Sequence, residues 1–176
     1  MENLYHYTNQ GRIQGIYESG FLFPSSRALP SDQKVVDNVS ARVKELIGDN
    51  VYLVGLELFN DPRWKEYGLM ETLLGHVDGR GGIICFEVPI FPGTKGLVRE
   101  HAYISSKGFI ERYGADLFKL AREEKIAGDD QRFYDCWNLY INSTIPLSEY
   151  RGDFKVPEIW IAQKTPLDLL KEIPLD

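Results

Sequence analysis

Cysteine is nearly missing: Cys85 and Cys136 are the only two among 176 residues. Two thiols cannot build a disulfide framework or a four-cysteine zinc site. Histidine is scarce as well. His6, His76 and His101 stand far apart, with no His-Glu-x-x-His and no Cys-x-x-Cys, so no metal site is expected. Apolar runs of roughly 18 residues or more do not occur, which excludes a membrane-spanning helix. Met1 to Tyr7 carry neither a basic cluster nor an apolar stretch, so no secretory signal is expected and the cytoplasm is the expected compartment. No Gly-x-Gly-x-x-Gly, no phosphate-binding Gly-x-x-x-x-Gly-Lys-Ser/Thr and no Gly-x-Ser-x-Gly elbow is found. Net positive charge is also lacking: 20 basic against 26 acidic side chains leave −6. That balance argues against coating nucleic acid or membrane through bulk charge, while leaving room for a local basic patch such as Arg12, Arg27 and Lys34. Asn142-Ser143-Thr144 fits the glycosylation pattern but reads as a polar turn in a chain with no export signal.

What is present is ordinary folded material. Hydrophobic residues make up 43% and charged residues 26%, so the chain can bury a core, and its length fits one domain, 1–176. Leu4–Thr8 reads as a strand with Leu4, His6 and Thr8 on one face, followed by a helix over Gln10–Ser19 that Gly20 stops. Phe21–Phe23 should be extended. Helices are predicted over Val35–Ile47, Trp64–Leu74, Lys107–Tyr113, Ala115–Ile126 and Pro166–Ile173. Strands are predicted over Val51–Leu56, Ile83–Val88, Gly96–Val98, Ala102–Ile104 and Val156–Ala162; Phe133–Ile141 suits either state. The strands are too unevenly spaced for regular βαβ units, which favours an α+β fold.

Reactive thiols are not expected. Cys85 lies inside an apolar strand, and the acidic and aromatic neighbours of Cys136, Asp135 and Trp137, would raise its pKa. Three other features carry chemistry. In Tyr5-His6-Tyr7-Thr8 an imidazole and a hydroxyl share one face of a strand and can bind a ribose; a core histidine with one satisfied nitrogen is the plainer reading. In Asn50-Val51-Tyr52-Leu53 the Tyr52 ring can stack on a flat heteroaromatic ring, or simply fill the core. In Val156-Pro157-Glu158-Ile159-Trp160-Ile161 a carboxylate opens an apolar strand on the face opposite Ile159 and Ile161. Such a group can hold a sugar hydroxyl and stabilise positive charge at an anomeric carbon; the alternative is a solvent-facing edge residue.

Taken in order, the His of Leu4-Tyr5-His6-Tyr7-Thr8, the helix end Gly15-Ile16-Tyr17-Glu18-Ser19-Gly20, Tyr52 and the Glu of Pro157-Glu158-Ile159-Trp160-Ile161 resemble the ADP-ribosyltransferase superfamily. The resemblance is to the His–Tyr–Glu branch of diphtheria toxin and the poly(ADP-ribose) polymerases, and within it to small bacterial toxin-type members. It implies a split mixed or antiparallel β-sheet core with flanking helices. It further implies an enzyme that cleaves NAD as co-substrate, releases nicotinamide and passes ADP-ribose to a protein or nucleic acid. A neutralising antitoxin or immunity protein, and action in a bacterial cytoplasm or in a cell receiving the protein, are implied with it.

By the same resemblance His6 and Thr8 would bind the ribose, and the Tyr7 backbone the nicotinamide amide. Tyr52 would stack on nicotinamide, and Glu158 would hold the 2′-hydroxyl of the nicotinamide ribose. Arg27 or Arg12 would pair with the diphosphate. The family's second stacking tyrosine falls on Arg63 here, which leaves Tyr67 and Tyr103 as substitutes. Val156, two residues before Glu158, departs from the Gln or Glu of the Arg–Ser–Glu branch, so an acceptor-activating base would come from Glu149 or Asp153 in the preceding loop. The whole reading requires His6 and Glu158 to face one cleft. Its rivals are an NAD glycohydrolase with water as acceptor, an RNA-phosphate-processing relative, and a non-catalytic interaction domain on the same fold.

Overall fold

The computed structural model describes residues 3–23, 52–53, 62–68, 82–116 and 130–174. Strand β1 (Asn3–Asn9) leads directly into α1 (Gln10–Ser19). The Asn9 side chain accepts the Arg12 amide at 3.0 Å and caps the helix, and Gly20 closes it at φ 70°, a conformation that glycine adopts without steric cost. β2 (Phe21–Leu22) and β3 (Tyr52–Leu53) are two-residue strands, and α2 (Pro62–Glu66) is a single turn of helix. β4 (Ile83–Pro89) and β5 (Gly96–Glu100) follow, then a 3-10 turn at His101–Ile104. α3 (Ser106–Tyr113) and α4 (Gln131–Asn142) are the next helices. β6 (Ile145–Pro146), β7 (Pro157–Ile161), β8 (Thr165–Pro166) and β9 (Lys171–Ile173) complete an α+β architecture.

The described strands form small antiparallel sheets. One has the order β1-β4-β9, a second pairs β2 with β8, and the third has the order β3-β7-β5-β6. Period-two alternation then decides what each face holds. Leu4, Phe86 and Val88 of the first sheet join Val98, Ile159 and Ile161 of the third, with Ile13 and Ile16 of α1, in one buried cluster. On the other face of the third sheet, Leu97 and Trp160 pack against Tyr140 and Ile141 of α4. β7 is therefore an interior strand, covered on both faces.

Two sequence expectations change and one ambiguity is resolved. Ala102–Ile104 is a 3-10 turn rather than a strand, because the Glu100 side chain accepts the Ala102 amide at 3.1 Å and starts a turn there. Pro166–Ile173 is not a helix: β8 pairs with β2, a 3-10 turn spans Leu167–Leu169, and β9 adds to β4 with Ile173 opposite Cys85. The ambiguous Phe133–Ile141 lies within α4, capped by Asp130. The predicted helices at 35–47 and, but for its first two residues, 115–126 lie outside the described residues, as does most of the predicted strand at 51–56. Of the predicted helix at 64–74, the residues through Glu66 are helical, Tyr67 and Gly68 form a turn, and the remainder lies outside.

Close approach at Gly108 sets the angle between the His101–Ile104 turn and α3. A Cβ there would lie 1.8 Å from the Ala102 carbonyl oxygen. Ser105 ties the same corner, donating its hydroxyl to the Ala102 carbonyl at 2.9 Å and accepting the Gly108 amide at 3.1 Å.

Candidate functional site

Glu158 occupies the second position of β7, opposite Arg99 of β5. Both side chains leave the sheet on the face covered by α4, and both are buried, Arg99 at 0% and Glu158 at 3% exposure. That burial excludes the solvent-facing alternative for Glu158. Its carboxylate accepts three hydrogen bonds. Oε2 accepts from Nδ1 of His101 on the 3-10 turn. Oε1 accepts from the Tyr140 hydroxyl at 2.5 Å and from Nε1 of Trp160 at 2.5 Å.

Burial alone would push the Glu158 carboxyl upward. The His101 hydrogen bond and charge, the Tyr140 hydroxyl and the nearby Arg99 charge outweigh it and bring the group down to about 2. The same surroundings act in the opposite direction on Tyr140, whose phenol is pushed well above its ordinary value by burial and by the Glu158 charge. Site and scaffold thus keep one acid ionised and one phenol protonated.

Arg99 completes the cluster. Its Nε donates to the Thr144 hydroxyl at 2.8 Å, and Thr144 in turn donates to the Ile141 carbonyl. The guanidinium carbon lies 5.2 Å from the centre of the Tyr140 ring and 5.0 Å from that of Trp160, within cation–π range of both faces. Among the described residues its Nη1 and Nη2 find no hydrogen-bond partner within normal geometry. Glu100 next door is a structural clamp: its carboxylate accepts the backbone amides of Ala102, Lys155 and Val156, at 3.1, 2.6 and 2.9 Å.

The other residues singled out in the sequence are placed as follows. His6 sits in the middle of β1, opposite Phe86, and is half-buried. It shares a face with Leu4, which packs toward Ile159 and Ile161, whereas Glu158 leaves β7 on the opposite face. The two side chains therefore leave their strands toward different layers. The cause is strand parity: residues 158 and 159 must diverge. Thr8 is buried opposite Ile84, and Tyr7 pairs with Cys85. Tyr52 pairs with Ile161 in β3, next to the strand of Glu158, while its side chain and Arg27 lie outside the described residues.

Tyr67 is buried, with the Lys107 ammonium 4.6 Å above its ring, and so already has a stacking partner. Arg63 donates to the Lys155 carbonyl at 2.9 Å. Glu149 and Asp153 are both exposed on the segment leading into β7. A hollow of about 320 Å³ opens beside that segment, lined by Glu100, Ala102, Tyr103, Gly108, Glu111, Arg112 and Lys155. It includes neither His6 nor Glu158. Both thiols are buried and raised, chiefly by desolvation: Cys85 is pushed up to about 12, and Cys136 also moves upward. Among the described residues no group of three His, Cys, Asp or Glu side chains converges as a metal site, and no helix is long and apolar enough to cross a membrane.

Sequence reasoning missed Arg99, His101 and Tyr140. One signal was available: in Leu97-Val98-Arg99-Glu100 an arginine falls on the same strand face as Leu97, which marks a buried charge in need of partners. Comparison of the chain with family models, with curated proteins and with solved structures returns no match.

Proposed function

We propose that this protein is an NAD-dependent ADP-ribosyltransferase that releases nicotinamide and transfers ADP-ribose to a macromolecular acceptor, protein or nucleic acid. The observation that carries the reading is a deeply buried carboxylate, Glu158, kept ionised at the start of β7. A group of this kind suits the chemistry, because loss of nicotinamide leaves positive charge on the ribose that a fixed anion stabilises. Supporting it, β3 with Tyr52 is hydrogen-bonded to β7, and β1 with His6 packs on β7 through Leu4. The exposed acids Glu149 and Asp153 stand on the segment before β7, where an acceptor-activating base belongs in this reading. Action as a toxin-type protein in a bacterial or recipient cytoplasm, with a neutralising partner, is part of the same proposal.

A second reading draws on the burial itself. With three donors on Glu158 and the face of β7 turned away from His6, the domain could retain this architecture as a non-catalytic interaction module. Nicotinamide release from NAD separates the two. The transferase reading expects turnover by the wild type and loss of at least 90% of it, roughly the tenfold scale of one pKa unit of lost interaction, in Glu158→Gln. That variant keeps the side-chain volume and one carbonyl acceptor. No turnover and no calorimetric NAD binding at millimolar concentration would establish the non-catalytic reading. Turnover with free ADP-ribose as the sole product would make the protein a glycohydrolase.

A further inference from the structure

The neighbours of Glu158 are an unusual set for a buried acid: an imidazole, a phenol, an indole and a guanidinium, contributed by the 3-10 turn, α4, β7 and β5. These are the titratable and charged groups facing it. An ionised carboxylate has about four acceptor positions, two on each oxygen. Tyr140 and Trp160 occupy both positions on Oε1, whereas His101 takes one on Oε2. Among the described residues one acceptor position, on Oε2, has no donor, and a sugar hydroxyl could fill it. His101 can donate through Nδ1 only while that nitrogen carries its proton, so the orientation of Oε2 depends on the imidazole.

We infer that His101 and Tyr140 are positioning residues for Glu158, fixing the direction of its two oxygens and holding it as an anion so that the open side of Oε2 is presented to a hydroxyl donor. This rests on the transferase reading for its role in the reaction, but the positioning itself is a property of the folded protein. Neither residue touches substrate in this scheme. The turn that carries His101 is fastened independently, by the Glu100 clamp on Ala102 and by the Ser105 bonds at the Gly108 contact. The His101 amide also donates to the Val156 carbonyl at 2.9 Å, which locks the turn to the start of β7. A substitution of the imidazole thus leaves those backbone bonds in place.

The test follows the Glu158 carboxyl carbon by NMR through a pH titration of the whole protein, assigned with Glu158→Gln. In the wild type the carboxyl should stay ionised below the ordinary glutamate range. In His101→Leu its midpoint should rise above the wild-type value, and His101→Asn, which restores an amide donor near the Nδ1 position, should recover part of the shift. Tyr140→Phe removes one hydroxyl and should produce a smaller upward shift; it carries the test if His101→Leu does not fold. Identical Glu158 midpoints in wild type, His101→Leu and Tyr140→Phe would overturn the inference. For nicotinamide release, kcat of His101→Leu should fall, with the acidic limb of its pH profile moving upward by the same interval, while KM stays within about twofold, a change too small to count as lost binding. An unmoved limb with active enzyme would also overturn it. If the carboxyl responds as expected but the wild type releases no nicotinamide, the transferase reading falls and the positioning role stands.

Discussion

On one face of the β3-β7-β5-β6 sheet, Val98, Ile159 and Ile161 meet Leu4, Phe86 and Val88; on the other, Arg99 and Glu158 are joined by Tyr140, His101 and Trp160. The same two strands build both faces, and neighbouring residues are assigned to them by parity alone. The first face is held by removal of apolar surface from water, which tolerates small changes of shape and is indifferent to pH. The second is held by a charge network whose members each cost free energy when left unpaired in the interior. A single sheet thus joins a tolerant side to an unforgiving one. The polar side is also where the candidate chemistry lies.

The sharpest break in that comparison is Glu158→Ala. It strands His101 and Arg99 without their anion, and removing one member of a buried pair costs about 3–5 kcal/mol. Urea unfolding followed by tryptophan fluorescence should show this as a large fall in midpoint, and for this reason Glu158→Gln is the better variant for assays of activity.

Acid should discriminate the faces next. The folded Glu158 carboxyl lies near 2 against an ordinary 4.5, its desolvation outweighed by His101, Tyr140 and Arg99. Between those values the unfolded chain binds more protons than the folded one. The stabilisation is therefore complete above about 4.5 and is lost as pH falls toward 2, an amount on the order of 3 kcal/mol. Thermal melts from pH 6 down to pH 2 should show a steeper loss for wild type than for Glu158→Gln; equal slopes would mean that the carboxyl is not held down by its neighbours.

The smallest effect belongs to the apolar face. Ile159→Val, one residue along from Glu158, should cost about 0.5–1.5 kcal/mol, with no change in the pH dependence. A larger cost, or a pH-dependent one, would show that the two faces are coupled through the strand.

The elements whose signals are local could be read from the sequence. Asn9 and Gly20 bracket α1, Ser105 and Gly114 bracket α3, and the apolar stretch from Ile83 becomes β4. Leu167, Leu169 and Leu170 mislead because their spacing suits a helix, but strand pairing of Glu87 with Lys171 and of Cys85 with Ile173 prevails. At the site, the sequence marks Glu158 as a carboxylate opposite Ile159 and Ile161, and that parity is observed. Its partners His101 and Tyr140 are 57 and 18 residues away. Nothing local joins them; only the order β7-β5 and the seat of α4 against that sheet do. Parity also sends the side chains of His6 and Glu158 toward different layers, which no local signal reveals.

The burial of both sulfurs has a practical consequence. Since Cys85 and Cys136 are concealed and their thiols stay protonated near neutrality, thiol-directed dyes should pass over the native protein. A cysteine engineered at an exposed position such as Asp153 would then be the sole attachment point, and a fluorophore there would report motion of the segment leading into β7 without any need to delete the natural cysteines.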